Sequence, residues 1–238
     1  INTSDLVNSS MDPIFFRQVE THLNPERLGA YRQDGVDDAI ALARYLLNMA
    51  LCESLYSPLQ FAEISLRNAM HISLTARTGS DTWYDTLPLP HWQSKQVSDA
   101  KDHLARAGKP VSSDRVVAEL TFGFWVGFFT RLHMTSGLAY YIARTAFTQA
   151  PRSQRDVAKL SVRWQKVRDL RNRVFHHERV LHWHDLDTQH DKMLQLIGWM
   201  NPELEQLARM LDRFTEVRQK GLIPWLEKLH NRWPVNPE

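Results

Sequence analysis

Apolar residues recur along this chain at intervals of three and four and almost nowhere in strict alternation. In "VDDAIALARYLLNMALCESLY", Ile40, Ala43, Leu47, Ala50 and Leu51 fall at helical spacing, and Ser57-Pro58 is expected to end the helix. "LQFAEISLRNAMHISLTAR" reads as a second helix, closed by Gly79. The break Pro88-Leu89-Pro90 precedes "HWQSKQVSDAKDHLARAG", whose polarity predicts an exposed helix stopped at Gly108-Lys109-Pro110. "FWVGFFTRLHMTSGLAYYIARTAF" is apolar on most sides, which predicts a helix deep in the structure with Pro151 marking its end. "QRDVAKLSVRWQKVRDLRNRVFHHERVLHW" predicts a long basic helix, either bent or divided. "DKMLQLIGWM" and, after Pro202, "ELEQLARMLDRFTEVRQK" complete the series. With no alternating runs and no fixed-period repeats, the pattern predicts an all-α bundle of about seven to nine helices.

Composition narrows this picture. A chain of 238 residues with 43% hydrophobic residues, 10% aromatics and only nine glycines fits a packed globule better than a disordered or loop-rich β protein. A single domain is expected from residue 11 to 238. The polar opening "INTSDLVNSS" is followed directly by Met11 and reads as a cloning remnant or an upstream extension. The single cysteine, Cys52, cannot form an internal disulfide, and its apolar surroundings predict a buried thiol in a reducing cytoplasm. No secretion-signal pattern is present, and the run "TFGFWVGFF" is too short to span a membrane, so no membrane partner is expected.

Charge is distributed unevenly. The formal net charge is only +2, yet Arg144 to Arg173 holds nine basic residues against two acidic ones, Asp156 and Asp169. Concentrated this way, the charge is a candidate footprint for a phosphate backbone, with Lys159, Arg163, Lys166 and Arg168 as RNA-binding residues. A solvated helix face accounts for the same pattern.

The basic stretch runs into "LRNRVFHHERV", Leu170 to Val180. On a helical projection with Arg171 at zero, Val167, Leu170, Val174 and Leu181 cluster at roughly 260° to 320° and form a core face. Arg168, Asn172, His176 and Arg179 gather at roughly 60° to 140°, and His177 falls at the margin of the apolar side. The projection therefore assigns chemistry to His176 and a structural role to His177. Metal-free RNA cleavage needs proton transfer to and from oxygen and fixed positive charge on the phosphorane. Histidine supplies the first near neutrality and arginine the second through its planar fork, while asparagine can donate to phosphate or hold the imidazole. One such histidine per chain is one proton-transfer group, which a symmetric dimer would double.

These residues also carry a family resemblance. "RNRVFHHER" resembles the R-N-x-x-x-H motif of HEPN-domain proteins in its Abi-like (abortive infection) form, and "FAEISLRNAMH" (Phe61 to His71) and "ELTFGFWVGFF" (Glu119 to Phe129) resemble segments of that branch in the same order. The resemblance covers the chain from about Met11 onward. It implies an all-α HEPN bundle and homodimers with the motif facing a shared cleft. The implied activity is a metal-independent endoribonuclease of phage defence, or a toxin, that needs no cofactor and leaves a cyclic phosphate and a 5′-hydroxyl. Arg171 and His176 are the implied catalytic pair, supported by Asn172, with His177, Arg179 and Glu63 as further candidates. An antitoxin or a phage-derived trigger is an implied partner. Some members have lost catalysis, so the alternative is a non-catalytic module that holds a structured RNA or a partner protein.

Two neighbouring patterns bear on the site. Glu63, Arg67 and His71 form an i, i+4, i+8 stripe, read either as a Glu63–Arg67 ion pair at the core edge or as a place where Arg67 and Asn68 bind RNA phosphate. His176, His177, His182, His184 and His190, with Asp185 and Asp187, could also be metal ligands. No HExxH or paired CxxC spacing supports that, so no metal is assigned, and His182 and His184 are expected in a loop after the long helix.

Overall fold

The periodicity of three and four is realised as helix throughout. A computed structural model describes residues 13–32 and 35–232; the polar opening decapeptide lies outside the described residues. Among these residues there is no strand, and eight of the α-helices have eight or more residues. In chain order they are α1 (Pro13–Leu23), α2 (Pro25–Gly29), α3 (Asp38–Thr78), α4 (His91–Arg106), α5 (Ser113–Glu119), α6 (Phe122–Val126) and α7 (Arg131–Thr135). These are followed by α8 (Leu138–Thr145), α9 (Val157–Phe175), α10 (Leu186–Met200), α11 (Pro202–Leu211), α12 (Phe214–Lys220) and α13 (Ile223–Arg232). The protein is an all-α helical bundle.

Several boundaries differ from the sequence expectation; "ELEQLARMLDRFTEVRQK", for one, is divided between α11 and α12. Ser57-Pro58 does not end a helix: α3 runs unbroken for 41 residues with Pro58 inside it. An interior proline loses one backbone hydrogen bond and crowds the preceding turn, at a cost of about 3 kcal/mol. Leu51, Leu55, Ala62, Leu66 and Leu74, all completely buried, supply apolar burial on both sides of it, at about 1.5–3 kcal/mol for each fully buried leucine. The apolar stretch after Phe122 is the reverse case. It folds as α6, a 3-10 turn at Gly127–Phe129, α7 and α8 rather than as one helix. Thr130 is extended, at ψ 163°, and Gly137 is left-handed, at φ 74°, so the chain changes direction twice while Phe124 to Phe129 stay buried.

The chain divides into two compact units, each built from separated stretches. Among the described residues, those up to 56, those from 173 to 186 and those from 212 onward form the first, and residues 57–172 and 187–211 the second. Two of the divisions fall inside α3 and α9, so no linker composition marks them.

In the first unit, Phe16, Leu28 and Leu42 form a buried cluster with Val19, Leu46 and Leu229 around it. Ala43 and Leu226 form another, flanked by Ile40 and Trp225. The second unit has an aromatic core in which Trp83 lies 5.9 Å from Trp125 and 6.0 Å from Phe128, both edge to face. Such pairs add about 0.5–1.5 kcal/mol beyond the area they bury. Polar groups inside this core are matched to one another. The Gln93 side-chain amide, completely buried, donates to the Phe124 carbonyl at 3.0 Å, and its Oε1 lies 2.7 Å from His133 Nε2. That arrangement requires the His133 proton on Nε2. Burial holds the His133 pKa below the usual histidine range.

Candidate functional site

Helix α9 begins where Asp156 caps it, its Oδ1 accepting from the Lys159 amide at 2.9 Å. It ends at Phe175, before the histidine pair. The ending is a Schellman turn: the Glu178 N–H donates to the Arg173 carbonyl at 2.8 Å and the His177 N–H to the Val174 carbonyl at 3.1 Å. His177 is the left-handed residue of that turn, at φ 56°. A single helical projection therefore does not extend past Phe175. His177, expected at the core margin, is exposed; His176 is exposed as well, and among the described residues its ring makes no hydrogen bond or ion pair. Arg179, expected beside Asn172 on a polar face, instead donates to the Ala30 carbonyl and lies over the Tyr31 ring, 5.8 Å from its centroid.

The segment that carries the histidines is fastened within the first unit at several points. Asn48 on α3, only 3% exposed, accepts from the Val180 and Leu181 amides through Oδ1 at 2.8 and 3.1 Å, and its amide donates to the Glu178 carbonyl at 3.4 Å. Arg27 donates to the His177 carbonyl. Arg173 pairs with Glu178 at 2.9 Å. Sequence reasoning passed over Asn48 and Arg27. The signal for Asn48 was a polar residue inside the apolar run "LLNMAL", because a buried amide must find partners.

Beside this turn, still within the first unit, is a cavity of about 450 Å³ whose lining includes Arg27, Met49, Glu53, Tyr56, Phe175 and His177. Tyr56 and Phe175 are 51% and 38% exposed, with ring centroids 5.5 Å apart. Cys52 also lines it, and burial pushes the thiol pKa up to about 11, so it is protonated at neutral pH.

Arg171 and Asn172 belong to the second unit, and both are half-buried. Arg171 Nε lies 3.3 Å from Glu63 Oε2. The carboxylate thus goes to Arg171 rather than to Arg67, which instead donates to Asn68 Oδ1 at 3.3 Å. His71, the third member of that stripe, accepts a hydrogen bond from the buried Trp83 indole at 2.9 Å, and burial lowers its pKa. Its role is in the core.

The basic segment is organised by the second unit. Lys159, Arg163 and Lys166 line one groove of about 430 Å³, together with Lys192 of α10 and an aliphatic floor that includes Val162 and Leu170. Arg163 is bound to neutral groups, donating to Gln195 and Gln154 and lying 4.6 Å from the Trp199 ring centroid, so it keeps its charge while packing α9 against its surroundings. Arg168 lies 3.8 Å from Asp169 and is not among the residues of the groove. Lys192, in "DKMLQLIGWM", is a fourth cation that the sequence did not single out.

No family model matches the chain, and no curated protein and no solved structure matches it either.

His182 and His184 lie in the loop between α9 and α10. Burial and the nearby Arg179 and Arg173 charges lower the His182 pKa. Among the described residues, no three His, Cys, Asp or Glu side chains converge in a way that could hold a metal ion. No helix there is long and apolar enough to cross a membrane.

Proposed function

We propose that the chain is an Abi-like HEPN protein that cleaves RNA without a metal, in phage defence or as a toxin. The observation that carries the reading is the end of α9. A basic helix carries Arg171 and Asn172 near its end, and two exposed imidazoles follow on a turn that Asn48 and Arg27 hold in place. An imidazole can take or give the protons of phosphodiester transesterification. Arg171 supplies fixed charge for the phosphorane, Glu63 orients its guanidinium, and Asn172 is available to phosphate. Lys159, Lys166 and Lys192 provide the sequence-independent grip on the backbone. A homodimer that brings two motifs to one cleft would double the proton-transfer groups.

The engagement of Arg171 by Glu63 favours a second reading, a non-catalytic RNA-binding module, because a carboxylate partly offsets the charge that catalysis would use. Incubation of the purified protein with mixed RNA in EDTA separates the two. Fragments ending in a cyclic phosphate, present for the wild type and lost in the double variant His176→Ala/His177→Ala, are the expected result. RNA binding without cleavage selects the second reading, and cleavage that requires added metal overturns the first.

A further inference from the structure

The cavity beside the histidine turn has a chemistry distinct from that of the basic groove. Its charged groups balance, with Arg27 against Glu53, and Glu53 is itself paired with Arg213 at 2.7 Å. It therefore does not select a strongly charged ligand. It offers two exposed aromatic rings, the polarisable and half-exposed Met49, and the polar groups of Tyr45 and His177 at its edge. Tyr56 and Phe175 are inclined by 33° with centroids 5.5 Å apart, so the two rings pack on one another as a single aromatic unit in the lining. A neutral, planar ligand with hydrogen-bonding edges matches such a lining, and a volume of about 450 Å³ suits a group of nucleoside size.

We infer that this cavity is a nucleobase subsite, in which Tyr56 and Phe175 stack an unpaired RNA base and His177, rather than His176, is the imidazole that reaches the bound nucleotide. The inference rests on RNA being the ligand. It does not require cleavage. The left-handed backbone at His177 fits this assignment: the turn turns the His177 side chain to the cavity wall while Arg27 fixes its carbonyl.

The test uses a short fluorescein-labelled oligoadenylate with a 2′-O-methyl backbone, which cannot be cleaved, and an abasic oligomer of equal length and charge. Affinities are read by fluorescence anisotropy. The wild type is expected to bind the base-bearing oligomer more tightly than the abasic one. Tyr56→Leu, which keeps apolar bulk and removes the π face, is expected to lose about tenfold in affinity for the former and nothing for the latter. Tyr140→Leu, at an equally exposed aromatic outside the cavity, should change neither. Equal binding of the two oligomers by the wild type, or unchanged affinity in Tyr56→Leu, overturns the inference. So does a Tyr56→Leu variant that binds RNA normally but sediments as a smaller species than the wild type, since the rings would then be a contact between copies of the chain. Because the probe cannot be cut, base discrimination without cleavage of natural RNA removes only the ribonuclease reading.

Discussion

His177 has a positive φ, which among the described residues is otherwise held by five glycines and Asn24. The left-handed region costs an ordinary L-residue roughly 1–2 kcal/mol, and helix ends that need it usually employ glycine. At the end of α9 a histidine stands there instead. Replacing it separates stability from function. His177→Gly is expected to raise stability by about 1 kcal/mol, read as a higher denaturation midpoint, while RNA cleavage is lost. His177→Ala should leave the midpoint nearly unchanged, because alanine suffers the same backbone cost. A His177→Gly variant that unfolds more easily than the wild type would mean that the imidazole is itself part of the packing. The motif residues were legible in the sequence, since Arg171, Asn172 and the histidine pair are adjacent in it. Their placement was not. That His176 and His177 lie on a turn required knowing that the helix ends at Phe175, and the usual mark of such an end, a glycine, is absent.

At the scale of elements, the sequence foretold the helical class and the whereabouts of most long helices because apolar periodicity is a local property. It misplaced boundaries wherever burial outweighed a local preference. Pro58 lies within α3 because leucines on either side are buried, and the run from Phe122 breaks at Thr130 and Gly137 because its aromatic side chains pack against Trp83 rather than along one helix face. Charge on α9 was visible, but its division of labour was not. Arg163 packs over Trp199, so it is the wrong residue for testing the groove's electrostatics. The triple variant Lys159→Glu/Lys166→Glu/Lys192→Glu leaves that packing intact. It is expected to weaken RNA binding equally for all sequences and to reduce the dependence of log K on log salt by roughly 0.7 per lost phosphate contact with single strands. Affinity insensitive to both salt and these changes would reduce the segment to a solvated face.

At the scale of the whole molecule, acid sensitivity is built into the core of the second unit. His133 and His71 both have folded-state pKa values depressed below the ordinary value near 6.5, chiefly by burial. The unfolded chain therefore binds more protons than the folded one as the medium acidifies. The stabilisation is complete above about pH 6.5 and is lost as pH falls through that value toward the folded-state pKa values. Thermal midpoints measured between pH 7.5 and 5 should decline, and His133→Gln, which retains a donor toward Gln93, should flatten the decline; an identical slope in the variant would assign the sensitivity elsewhere. The interleaving of the two units has a further consequence, for the order in which the ribosome releases their parts. Every stretch of the second unit has been synthesised by Leu211, whereas Leu226 and Leu229, which complete the apolar clusters of the first, are added later. A nascent chain can thus settle its aromatic core early, while the unit that carries the histidine turn waits for α13 to emerge.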